Sequence, residues 1–198
     1  MEVSVRLTVP STMRVTTPAS APMTIHQMQI RADEREDRLL LRLSTTDGCE
    51  YRFWLTRRFV KQLWGLLLKM VEWDKAVQQQ FGASMRQTVL EIQHEGYAQQ
   101  GDFSKGFEEA PRTFPLGQTP VLLCSGKGVR RDNGLYVLSL YPAQGQGLDM
   151  TLDMRLLHIF GKILRDAVAR ADWGIDLALG EKAPEPAHAE TKSPRKLN

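Results

Sequence analysis

One phrase occurs twice in this chain, and it constrains the fold more than any other feature. "EYRFWLTRRFVKQLWGLLLK" (Glu50–Lys69) and "LDMTLDMRLLHIFGKILRDA" (Leu148–Ala167) each begin as a short alternating run that ends in a leucine. A small polar residue follows, then an amphipathic stretch with an arginine in its first turn. Period-two alternation giving way to a 3.6-residue period reads as a strand running directly into a helix. Thr56 and Asp153 stand where an N-cap side chain would accept a first-turn N–H. The match extends upstream at a constant offset of 97 with no gap, placing Leu41 on Leu138, Leu43 on Leu140, Gly48 on Gly145 and Leu55 on Leu152. Downstream, Arg58 falls on Arg155, Leu67 on Leu164 and Val71 on Val168. A glycine, a cap and a first-turn arginine kept in one register argue for duplication rather than coincidence between two leucine-rich phrases. The expected fold is α+β: tandem duplicated βββα units, antiparallel sheets packed against helices, related by a pseudo-two-fold axis.

The rest of the chain divides around these units. Residues 1–22 read as an N-terminal strand (Val3, Val5, Leu7, Val9) and a flexible Ser/Thr/Pro arm. The first unit, 23–82, holds "TIHQMQI", "RLLLRL" and "CEYRFWL" as a meander, then a helix ending near Phe81–Gly82. Residues 83–118 carry a weaker helix, Ser84–Gly96, with Met85, Val89 and Ile92 on one side, and then an irregular connector. The second unit, 119–173, repeats strand, hairpin, strand, turn, strand and helix. Its Asn133-Gly134 suits the positive φ that tight hairpins require. Residues 174–198 are too polar to pack and read as a disordered tail, so that 23–173 form one compact domain.

This strand–strand–strand–helix phrase, used twice with its helix across a curved sheet, resembles the duplicated units of Whirly and PUR-repeat single-strand-binding proteins. The resemblance covers Thr24–Gln79 and Pro120–Ala171. It implies a non-enzymatic protein that binds single-stranded nucleic acid. Those families use four strands per unit where this chain offers three, unless residues 2–9 supply another. No site residue is carried across from the resemblance.

Composition narrows the setting. The chain has 198 residues and a formal charge of +3, an excess that permits an anionic partner without demanding one. Its two cysteines, Cys49 and Cys124, have no metal-ligand or disulfide spacing, which suits a reducing cytoplasm. The N-terminus lacks a signal-peptide pattern, and "LWGLLLKMV" is too short to span a bilayer. The expectation is a cytoplasmic protein with no membrane association and no cofactor.

No reaction is legible. The Glu91-x-x-His94 pair shares one helix side but has no second copy to complete a di-metal site, so no metal is expected. His26 lies on an otherwise apolar strand face and reads as a core residue, His158 as one on a helix's polar face. "SGKGVRR" (Ser125–Arg131) is not a P-loop, because it runs into a hairpin instead of opening a helix. Gly126 and Gly128 read as a bulge, with Lys127, Arg130 and Arg131 at an exposed hairpin tip.

What remains is a surface. Strand alternation sends Met28, Ile30, Leu39, Leu41, Leu43, Tyr51, Phe53 and Leu55 toward the helix. The opposite face receives Arg31, Arg38, Arg42, Arg52 and Trp54, together with Gln27, Gln29, Leu40 and Glu50. Guanidiniums for phosphates and an indole for stacking make this face a candidate platform for single-stranded nucleic acid, with Lys127, Arg130 and Arg131 as a second basic cluster. The alternative is a solvated face in which Glu50 pairs a cross-strand arginine and the arm covers Trp54. Arg57, Arg58 and Arg155 stand in first helical turns, where the helix dipole disfavours cations. They mark contacts to an anion or partner, or else internal ion pairs. Phe103, Phe107 and Phe114, interleaved with Lys105 and Arg112, either grip a ligand or pin the connector to the core. The two functional readings are therefore nucleic-acid binding and a protein–protein assembly module, with a homo-oligomer left open.

Overall fold

Strands form where β-branched, aromatic and leucine side chains alternate with polar ones, and in the computed structural model seven such runs hydrogen-bond into one sheet. The structure describes residues 2–6, 24–33, 35–79, 83–99, 106–109 and 112–178. Along the chain come β1 (Glu2–Arg6), β2 (Ile25–Asp33), β3 (Arg38–Thr45), β4 (Glu50–Leu55) and α1 (Arg57–Glu72). Next are α2 (Lys75–Gln78), α3 (Ala83–Ala98), β5 (Val121–Arg130), β6 (Tyr136–Pro142), β7 (Leu148–Leu152) and α4 (Met154–Arg170). The arm after Arg6, Phe103, Lys105 and most of the tail lie outside the described residues.

Spatial order is β2-β3-β4-β5-β6-β7, with β1 antiparallel to β5. Two antiparallel meanders are joined by a short parallel contact, Phe53 opposite Val121 and Trp54 opposite Leu122. The sheet is thus mixed, where alternation alone implied antiparallel sheets. A parallel neighbour needs a long crossover, and the three helices and connector between β4 and β5 supply it.

The helices exchange places. α1 follows the first meander but packs on β5 and β1, whereas α4 follows the second and packs on β2, with α3 against α4. Beneath them lies a continuous core in which Leu41, Leu43, Phe53, Leu55, Leu138, Leu140, Met150 and Leu152 are wholly buried. Both strand-to-helix joints are capped alike: Thr56 accepts the Phe59 N–H at 3.2 Å and Asp153 the Leu156 N–H at 2.7 Å. Gly48 and Gly145 both turn the chain with positive φ, +80° and +91°.

Several details depart from the sequence reading. The β-bulge lies at Leu123–Ser125, before the two glycines. Gly126 and Gly128 instead face α1. A Cβ on Gly128 would stand 2.6 Å from Met70 Sδ and 3.2 Å from Leu66 Cδ1, so only a hydrogen allows the helix this close. Lys127 and Arg130 accordingly sit within β5, Lys127 paired to Ser4 of β1 and Ser139 of β6, and Arg130 to Tyr136 of β6. Only Arg131 is in the turn, where Gly134 alone takes positive φ (+81°) and Asn133 accepts the Leu135 N–H. α1 stops at Glu72, short of Phe81, because Trp73 turns inward. It is buried and lies parallel to the Tyr136 ring, at 6.4 Å between centroids. Ordered packing continues past Trp173: Leu177 is buried and the Ala178 carbonyl accepts the Trp64 indole N–H at 3.0 Å. No helix among the described residues is long and apolar enough to cross a membrane.

Candidate interaction face of the sheet

The face opposite the helices is built from cross-strand rows. Register aligns Gln27, Ser44 and Glu50; then Gln29, Arg42 and Arg52; then Arg31, Leu40, Trp54 and Leu122. Antiparallel neighbours in such rows have Cβ atoms about 5 Å apart, so their side chains must interact.

The centre of the face is an ion-pair network rather than an open platform. Arg42, 7% exposed, donates from Nε to Glu50 Oε1 at 2.8 Å and grips both carboxylate oxygens of Glu109 through its Nη atoms. Arg52 Nε donates to the same Glu50 oxygen at 2.7 Å, and Arg112 Nε stands 3.6 Å from the other. Glu50 is therefore a buried anion inside a triangle of guanidiniums. Burial raises its pKa, but the bonds from Arg42 and Arg52 outweigh this and hold the carboxyl below its ordinary range. The bond to Glu109, partly offset by burial and aided by Glu50, keeps the Arg42 guanidinium charged.

The connector lies over this network. The Phe107 ring meets two guanidiniums, 4.1 Å from that of Arg42 and 5.6 Å from that of Arg112, and the Phe114 ring is 4.7 Å from that of Arg52. Backbone bonds fasten it: Glu50 N donates to the Thr113 carbonyl at 2.8 Å, and Thr113 N to the Gly48 carbonyl at 3.1 Å. At the β2 edge Glu108 N donates to Gln27 Oε1. His26, read from sequence as a core residue, is half exposed and stands 3.5 Å from the Glu108 carboxylate. Phe107 and Phe114 thus pin the connector, and the carboxylate of Glu109 neutralises the Arg42 beneath.

The remaining candidates are scattered. Arg31 is exposed, and Arg38 pairs loosely with Glu36 at 3.6 Å. Trp54 is half buried beside Leu40, with exposed Leu122 next in the row. Lys127 projects from the same side of β5, Arg130 projects toward α1 near the Tyr136 hydroxyl, and Arg131 is exposed in its turn. The three do not converge. The first-turn arginines also differ. Arg57 chelates Asp37 at 2.7–3.1 Å, and the Trp173 indole donates to the same carboxylate at 2.9 Å. The Arg57 guanidinium beside Asp37, chiefly by its hydrogen bond, holds that carboxyl below its usual range. Arg58 and Arg155 are simply exposed.

Sequence reasoning missed Glu109 as the second anchor of Arg42 and Asp37 as the partner of Arg57. The available signal was two adjacent acids, Glu108-Glu109, in a connector otherwise noted for its phenylalanines. It also misplaced His158, which is wholly buried against His94 at the α3–α4 contact. Among the described residues, no group of three or more His, Cys, Asp or Glu side chains is arranged to hold a metal ion. Comparison with protein-family models, with curated proteins and with solved structures gives no match for this chain.

Proposed function

We propose that this chain is a non-enzymatic assembly module that holds another polypeptide against the outer face of its sheet. The reading is carried by one observation: once Arg42 and Arg52 are matched by Glu50 and Glu109, an apolar group remains among the side chains facing outward. Leu40 and Trp54 are half buried, Leu122 and Tyr141 are exposed, and all four lie on the face away from the helices. A mixed aromatic and aliphatic strip beside a polar network has the character of a protein contact, where aromatic anchors supply most of the affinity. The scaffold is read as a tandem βββα duplication with pseudo-two-fold symmetry. Reciprocal helix packing, matched N-caps and equal burial at offset positions support that reading.

Single-strand binding, the function implied by the Whirly and PUR-repeat resemblance, is the second reading. It is favoured by the exposed Arg31 in the same row as Trp54. With the central arginines neutralised, it predicts a salt slope no steeper than about −2, from two or three phosphate contacts.

Co-purification from the native cell with nuclease treatment separates the two. A partner polypeptide that survives nuclease, is lost with Trp54→Ala/Leu122→Ala and is kept with Arg31→Ala supports assembly. A high 260/280 nm absorbance ratio that nuclease abolishes, with oligonucleotide affinity falling on Trp54→Ala, overturns it in favour of nucleic acid.

A further inference from the structure

α3 is the least anchored of the long helices. α1 buries eight side chains, whereas the buried residues of α3 with described side chains are Leu90 and His94, and Met85 and Ile92 are exposed. An element with so few buried contacts belongs to the low-stability end of a fold, and single contacts decide whether it stays docked. The contact in question is unusual. His94 of α3 and His158 of α4 meet with their Nδ1 atoms 3.3 Å apart, and Tyr97 stacks on His158 with centroids 5.2 Å apart.

That spacing holds one hydrogen. His158 Nε2 is buried without a partner, so a hydrogen there would be an unsatisfied donor. The hydrogen of His158 therefore sits on Nδ1 and is donated to His94 Nδ1, leaving His94 to carry its own on Nε2. No place remains for another proton. On His94 Nδ1 it would confront the N–H of His158, and on His158 Nε2 it would create a buried imidazolium donor with no acceptor.

The surrounding charges are mixed. Lys162, Arg165 and Asp166 of α4 and Glu95 of α3 line, with His94, a cleft of about 290 Å³, and Lys162 pairs with Asp166 at 2.7 Å. Asp74, at the α1–α2 junction, is the acid acting on His158. Burial, then Arg165 and Lys162, lower the proton affinity of His94 against the pull of Glu95 and Asp166. Burial, then His94, push His158 down to about 4 against Asp74.

We propose that the His94–His158 pair is an acid-released latch that docks α3 on α4 while both rings are neutral and lets it go when the pair takes up a proton. Both groups bind protons less well docked than released. Docking is therefore at full strength above the ordinary imidazole value of 6.5 and is lost as pH falls from there toward about 4. For His158 alone, lowering the pH from about 7.5 to about 5 raises the population of released α3 roughly 30-fold.

Hydrogen exchange of the full chain reads this directly. After correction for intrinsic exchange, amides of residues 83–98 should lose roughly 30-fold protection between about pH 7.5 and about pH 5, with α1 amides as the internal reference. In His94→Gln/His158→Gln the step should vanish. If that variant does not fold, ring-proton NMR of the wild type decides: the His158 signal must stay neutral at about pH 5. Unchanged protection of 83–98, the step persisting in the folded double variant, or a His158 ring protonating near its ordinary value overturns the latch.

Discussion

Seen from the helices, the two meanders are the same surface: Leu41 and Leu138, Phe53 and Met150, Leu55 and Leu152 are all wholly buried. One residue along each strand, on the other face, they part company. Arg42 corresponds to Ser139, Arg52 to Asp149 and Trp54 to Thr151, and Arg42 and Arg52 lie under the connector's Phe107, Glu109 and Phe114. The difference shows which constraint governs which face. Inward positions must fill a shared core at crystal-like density, which any large apolar side chain of the right volume can do. Outward positions answer to whatever covers them, and the described part of the connector covers the first meander.

If the inward faces are equivalent, equivalent truncations should cost the same. Leu55→Ala and Leu152→Ala each remove a wholly buried side chain at the end of a strand leading into a capped helix. Each should destabilise by about 3–4 kcal/mol, within about 1 kcal/mol of the other, by urea unfolding at constant m-value. A gap of more than about 2 kcal/mol would mean that the two joints sit in unlike surroundings and that the equivalence is superficial.

The outward faces should respond unequally. Glu50→Gln leaves Arg42, Arg52 and Arg112 around a neutral amide and should cost about 2–3 kcal/mol, because charges already drawn out of water lose their counter-ion. Asp149→Asn, at the offset position of Arg52, removes the charge but keeps an exposed acceptor for the Tyr141 hydroxyl and should cost less than about 0.5 kcal/mol. Glu50 also ties stability to pH. The Glu50 pKa is lower folded than unfolded, so its contribution is present above the ordinary value of 4.5 and disappears as pH falls below it. Glu50→Gln should therefore flatten the acid limb of the stability curve.

This contrast also explains how much was legible in the residues alone. Period and offset located the six meander strands, both long capped helices and the inward leucines, since burial imposes alternation that a sequence displays openly. The parallel β4–β5 junction was invisible: two residue pairs of contact leave no pattern, and the pairing depends on where a crossover of more than sixty residues deposits β5. What covers the outer face was illegible for a related reason. Arg42 and Glu109 lie far apart in the chain, and no local signal distinguishes an arginine awaiting a phosphate from one already held by a distant carboxylate. His158 failed differently. Helical position put it on the polar side of α4, but α3 docks on that side, so the ring is buried.

The smallest effect tests the joints themselves. Thr56 and Asp153 occupy the same place, with φ/ψ of −79°/159° and −81°/174°, and both accept the N–H three residues on. Their chemistry differs. Asp153 adds a negative charge where the helix dipole favours one, and its bond is shorter, 2.7 Å against 3.2 Å. Neither first turn contains an acid of its own, so the caps are not backed up by a second anion. Asp153→Ala should therefore cost about 1.5 kcal/mol and Thr56→Ala about 1 kcal/mol. Thr56→Asp should stabilise α1 by a few tenths of a kcal/mol, helped by Arg57 and Arg58 alongside. A Thr56→Ala loss well below about 0.5 kcal/mol would place the weight of the first joint elsewhere, on the Arg57–Asp37–Trp173 contact that the second joint lacks.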